Sequence, residues 1–278
     1  TGPTMDTAAL AQVAVERHIR DEVENLKNEE RRAQAMAGLC ILLTQLQEPS
    51  VPEELVSAIP SFFAMMEATG DPADPGMQAN ACAVLSGLMA VTDELQARIV
   101  GDGVVQRLQR LLEATADSEE RTLQLNALAC LSEALRGQEA QVEALVAAGG
   151  LAPVLRLCDP ALPERLQEAA ADVVCAAGCV ESTRGQLSEQ GAVGRLAALL
   201  ATPNHDVRIR ALMGLGMLLA KSPANQLQLA SNTTAVANLL AAMRQQEDQD
   251  CKVVARDLFA GLAANADCKE LIAQAMRA

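Results

Sequence analysis

Apolar residues recur along this chain at helical spacing, in runs separated by short polar or Gly/Pro breaks. Ala211, Leu212, Leu215, Leu218 and Leu219 trace one such stripe, the 3.6-residue period of an amphipathic helix. The same reading predicts a helix over 5–27, with Leu10, Val13, Ala14, Arg17 and Ile19 on its apolar side and charges elsewhere. Helices follow over 31–46 and 53–68, the second interrupted or started near Pro60. Beyond them each unit reads as a long helix (78–91), a shorter one (93–100), a Gly turn (101–103) and a third helix (104–114). Gly149-Gly150 and Gly191 mark later turns, because Gly accepts the left-handed conformation that closes a helix. Gly and Pro fill 70–76, which reads as a loop and a mobile insertion.

The pattern repeats. Asn126 to Ser132 (NALACLS) echoes Asn80 to Ser86 (NACAVLS), with looser copies from Gln34, Ala169, Arg210 and Val254, at steps of 46, 46, 43, 41 and 44 residues. A second marker, an apolar residue opening a helix after a turn, recurs at Ile59, Val105, Leu151, Val193 and Val236, at steps of 46, 46, 42 and 43. Two markers sharing one period indicate an α-solenoid built from three-helix units. The expected architecture is all-α: a right-handed solenoid of about five to six repeats. Residues 1–30 form a capping helix and 31–278 the repeat domain, with units starting near 31, 77, 122, 165, 206 and 250. The last unit lacks a full third helix, as terminal repeats often do.

Composition agrees. Half of the residues are apolar, yet there are three Phe, no Trp and no Tyr, so small side chains let short helices pack closely. The formal net charge of −14 opposes binding to nucleic acid or to an anionic membrane surface. No run of residues approaches the ~18 apolar positions of a membrane span. The eight scattered cysteines sit largely in apolar helical stretches, among them Cys40, Cys82, Cys130 and Cys175. That suits free thiols in a reducing, cytoplasmic compartment.

Three helices per unit with a Gly-Ala-Val turn resemble the armadillo repeat. The best stretch is Gly191 to Leu200 (GAVGRLAALL) followed by Val207 to Leu212 (VRIRAL). The resemblance implies a protein-binding scaffold or adaptor that holds its partner on a concave face. Armadillo proteins that bind extended peptides carry a Trp and an Asn four residues apart on the concave helix. Here the Trp positions hold Ala37, Ala83, Ala129, Asp172, Met213 and Asp257, and the Asn positions hold Ile41, Gly87, Glu133, Ala176, Met217 and Gly261. Neither ladder exists, so an importin-like role for basic peptides is not expected. Residues 127–140 (ALACLSEALRGQEA) resemble the Hsp70 nucleotide-exchange factors of the HspBP1/Fes1 type. That implies a second reading, a co-chaperone gripping Hsp70. A third is an adaptor in cytoskeletal, ciliary or vesicle-tethering complexes.

Candidate binding residues on the concave face are Asn80, Asn126, Glu133, Arg136, Asp172, Arg210, Met213, Met217 and Asp257. They suit a folded domain or an amphipathic helix, bound by a monomer. Catalytic chemistry is not expected. His18 falls in the charged cap helix and His205 in a repeat turn, and neither completes a nucleophile–base arrangement. Cys175 and Cys179, four apart on one helix with Cys158 upstream, lack the ligands of a zinc site. No phosphate-binding loop, cofactor or metal is expected.

Overall fold

A computed structural model describes residues 7–46, 51–68, 74–244 and 248–277, with side chains from residue 10 onward. Among them are eighteen α-helices, one short 3-10 helix and no strand. Two compact units divide the chain, residues 1–111 with 118–134, and residues 112–117 with 135–278.

In the first unit α1 (Thr7–Asn25) packs on α2 (Arg32–Leu43) and α3 (Glu53–Ser57). Among its described side chains Ile19 is buried, with Leu26 just beyond the helix. Leu10 and Val13 are instead about half exposed, and Arg17 is exposed. The apolar side read from the sequence is therefore rotated. The face that docks runs through Val15, Ile19 and Val23 to Leu26, where Arg20 reaches Glu54 of α3 and Glu22 lies against Gly38 of α2. The expected helix over 53–68 is two helices, α3 and α4 (Ile59–Met66), since Pro60 suits a first turn, where its missing N–H costs no hydrogen bond.

The loop expected at 70–76 is shorter at its far end. Residues 70–73 lie outside the described residues, but α5 (Pro75–Val91) already begins at Pro75. The Asp74 side chain caps it by accepting from the Met77 N–H at 3.0 Å. Pro75 thus opens a helix where the sequence reads it as a stop. Next come α6 (Asp93–Gly101), capped by Thr92, α7 (Val104–Thr115) and α8 (Arg121–Leu135). Gly103 joins α6 to α7 at φ +88°, a conformation that disfavours any other residue there.

The second unit holds α9 (Glu139–Ala147), α10 (Ala152–Leu157), α11 (Glu164–Gly178), α12 (Arg184–Glu189), α13 (Ala192–Leu199), α14 (His205–Leu219), α15 (Pro223–Ser231), α16 (Thr233–Arg244), α17 (Gln249–Ala264) and α18 (Ala266–Ala275). Gly149 and Gly191 close their turns at positive φ, as predicted. The long helices stack in sequence, α11 on α14 and α14 on α17. A Cβ on Gly214 would stand 2.7 Å from Leu196 Cδ1 and 3.1 Å from Cys175 Sγ, so any side chain there would have to displace Leu196.

Within each of the two units, amide side chains donate to backbone carbonyls a repeat away. Asn126 reaches Ala79 at 3.0 Å, Gln190 reaches Val146 at 3.0 Å, Asn225 reaches Arg184 at 3.2 Å and Asn238 reaches Ala197 at 3.3 Å. In the first unit Glu67 pairs with Arg107 and, at 3.0 Å, with Arg110, while the Arg107 guanidinium lies 4.8 Å over the Phe63 ring.

Candidate binding surface

Each long helix buries one face and leaves another open. On α2, Met36 and Leu39 are buried while Gln34, Ala37 and Ile41 are exposed, Ile41 by 62%. Leu85, Leu88 and Met89 are buried on α5, while Asn80, Ala83 and Gly87 are half-buried. On α14, Leu212 and Leu215 are buried while Met213 is 40% exposed. On α17, Cys251, Ala255 and Leu262 are buried while Asp257 and Gly261 are exposed. Most of these open positions are those where the armadillo resemblance puts its Trp and Asn ladders, occupied here mostly by small or apolar residues.

The nine candidate residues divide by what they touch. Asn126 directs its amide to the Ala79 carbonyl, so that group links α8 to α5. The Asn80 carbonyl accepts from the Cys40 thiol at 3.6 Å. Glu133 is half-buried on α8, and its backbone carbonyl accepts from Gln96 at 2.7 Å. Arg136 is exposed and follows the last helical residue, Leu135, so it lies off the helix face. Asp172 and Arg210 pair with each other at 3.1 Å, linking α11 to α14, each over a third exposed. Met213 and Asp257 are open to solvent and Met217 is half-buried. In the second unit the structure therefore gathers Met213, Met217 and Asp257 with the Asp172–Arg210 pair on adjoining long helices.

A shallow groove of about 290 Å³ runs between α14 and α17, lined by Gly216, Leu219, Val254, Leu258 and Gly261 with Asp257 among them. The two glycines leave it open. A Cβ on Gly216 would be 3.8 Å from Leu258, and one on Gly261 would meet nothing within 4 Å. Val253, next to the groove residue Val254, is 55% exposed. The first unit has a larger, mixed-charge depression of about 1070 Å³ beside α1 and α4, lined by Arg20, Glu24, Lys27, Arg32 and Glu54 among others.

Apart from the exposed Cys179, the thiols offer little reactivity. Burial pushes Cys82, Cys158 and Cys175 up to about 12, and Cys130 well above its ordinary value. A thiol so held stays protonated and is a poor nucleophile. Cys175 and Cys179 lie one turn apart, the Cys179 N–H donating to the Cys175 carbonyl at 3.1 Å. Cys175 donates to the Arg210 carbonyl at 3.3 Å, while Cys179 lies past the last helical residue and is exposed.

Two features escaped the sequence reading. Arg208 and Asp248 form a buried ion pair at 2.6 Å, and Arg208 also donates to the carbonyls of Thr202 and Pro203. His205 is not a simple turn residue. It opens α14, and its Nδ1 lies 3.0 Å from Asp248 Oδ1 and 3.9 Å from Cys251 Sγ. Burial works to raise the Asp248 carboxyl, but hydrogen bonds from Arg208, Cys251 and His205 outweigh it and hold the carboxyl well below the usual carboxylate range. The only sequence signal for either feature is separation by about one repeat.

No protein-family profile and no curated protein sequence matches the chain. Solved structures do. A designed armadillo repeat protein has a TM-score of 0.70 at 18% identity, covering 88% of this chain and 99% of its own. Computationally designed armadillo repeat proteins for modular peptide recognition give 0.71 at 18% identity, covering 87% and 99%. A third designed armadillo repeat protein, solved in complex with the peptide (KR)4, gives 0.67 at 16% identity, covering 87% and 99%. Among the described residues no helix is long and apolar enough to cross a membrane. The likeness to these structures, with the helix order above, shows that the chain has an all-α, armadillo-like repeat solenoid fold.

Proposed function

We propose that this chain is a protein-binding scaffold that holds a folded domain or an amphipathic helix against the open faces of its long helices, and that it works by binding and not by catalysis. One observation carries the reading. In the second unit an exposed Met213 stands near an apolar groove, floored by Gly216 and Gly261, into which another side chain fits. Methionine adapts to irregular apolar shapes, and small residues let another chain approach closely. One designed neighbour holds a (KR)4 peptide. This chain lacks the Trp and Asn ladders of peptide-binding armadillo proteins, so apolar contacts replace backbone clamping. Free, largely buried cysteines suit a reducing cytoplasm.

The test is substitution of Gly261→Glu. It fills the groove with a charge, in space the structure leaves empty, and improves helix propensity by up to ~1 kcal/mol, so folding is retained. Proteins captured by the wild-type chain from a cytosolic extract should be lost from the variant. An identical captured set refutes the groove as the binding face. The exchange-factor reading is favoured by 127–140, which forms the second half of α8, the Gly137 turn and the start of α9. Faster release of labelled ADP from Hsp70 in the presence of the chain would establish it, and an unchanged rate would remove it.

A further inference from the structure

Away from the groove, consecutive long helices bring three metal-ligating groups together. His205 opens α14, Asp248 is the N-cap of α17 and Cys251 lies in its first turn. His205 Nδ1, Asp248 Oδ1 and Cys251 Sγ all lie within 4.8 Å of one another, with 3.0 Å between nitrogen and oxygen and 3.9 Å between sulfur and nitrogen. Tetrahedral zinc, with bonds of ~2.0–2.3 Å, sets its ligand atoms ~3.3–3.6 Å apart. Small side-chain rotations therefore reach that geometry.

The carboxylate is already oriented. Arg208 holds Oδ2 at 2.6 Å and the Cys251 N–H donates to Oδ1 at 3.1 Å. Such outer contacts fix ligating carboxylates in metal sites. The His205 side chain is 47% exposed, which opens a path from solvent and leaves room for a water as fourth ligand.

We propose that His205, Asp248 and Cys251 form a binding site for a divalent metal of the zinc class, which pins α17 to α14. One nitrogen, one oxygen and one sulfur donor select a borderline-soft cation over calcium or magnesium. On binding, the Cys251 thiol releases its proton to solvent as the sulfur–metal bond forms, and the His205 ring gives up to solvent the Nδ1 proton that it directs at Asp248 and takes one on Nε2 instead, so that Nδ1 is free to ligate. Imidazole, carboxylate and thiolate then carry a charge of −2, which the ion balances. α17 also carries the groove residues Val254 and Leu258, so metal occupancy bears on the proposed binding face without depending on it.

Cobalt(II) added to the chelator-treated full chain is the test. One ion per chain should bind, with a sulfur-to-cobalt charge-transfer band. Cys251→Ser should abolish the band and Cys179→Ser should leave it unchanged. His205→Ala, at a half-exposed position where folding is secure, should weaken affinity by more than the ~10–100-fold typical of losing an outer-shell partner. Zinc should raise the wild-type Tm and leave that of His205→Ala unmoved. Absence of the band, its persistence in Cys251→Ser, or unchanged affinity in His205→Ala overturns the proposal.

Discussion

Arg208→Met should strongly destabilise the second unit. The wild-type guanidinium bridges Asp248 Oδ2 and two backbone carbonyls, and both charged side chains are only 7% exposed. Met fills most of the volume but leaves the Asp248 carboxylate without its cation and two loop carbonyls without their donor. Breaking one partner of a buried pair costs ~3–5 kcal/mol. His205 and the Cys251 N–H still face the carboxylate, so the lower end, about 3 kcal/mol, is expected.

The pH dependence follows from the same carboxyl. Its folded pKa is depressed, so its contribution is fully present above the unfolded value of ~3.9 and is lost as pH falls towards the folded pKa. Arg208, His205 and the Cys251 thiol are the titratable groups that meet it. Urea melts at pH 7 and pH 3, with chelator present, measure both effects. Wild type should lose more stability on acidification than Arg208→Met, which has already lost the main cause of the shift. A variant within ~0.5 kcal/mol of wild type at pH 7, the usual range for an inconsequential surface change, would refute the reasoning. So would parallel acid losses in the two proteins.

Asn126→Ala should destabilise the chain by roughly 0.5–1.5 kcal/mol in a urea melt, because it removes the side-chain hydrogen bond that joins α8 to α5; no loss would mean that the bond adds nothing to the packing of these helices. Gly214→Ala should cost about 1–3 kcal/mol by overpacking against Leu196 and Cys175, read as a lowered Tm, and an unchanged Tm would show that α14 is not so closely held. Ellman's reagent should modify Cys179 fast in the native chain while the buried thiols wait for unfolding, and Cys179→Ser should remove that fast phase. Met213→Glu should leave thermal stability within ~0.5 kcal/mol of wild type, since the side chain is 40% exposed, while weakening capture of whatever protein the α14–α17 groove holds.

Helix class, repeat period and the glycine turns were legible in the amino-acid order because they depend on neighbours within a few residues. Ala211 to Leu219 declare a helix by spacing alone, and Gly103, Gly149 and Gly191 sit where a left-handed residue is needed. Misreadings arose where a local rule has two outcomes. Proline at 75 can end a helix or open one, and the Asp74 cap decides. Leu10 and Val13 look as apolar as Ile19, but only packing decides that Ile19 is covered while they stay about half exposed. What Asn126, Arg208 and His205 do was settled by partners some 40 to 47 residues away. A solenoid places those residues side by side through packing of successive helices, a contact that periodicity announces but does not specify atom by atom.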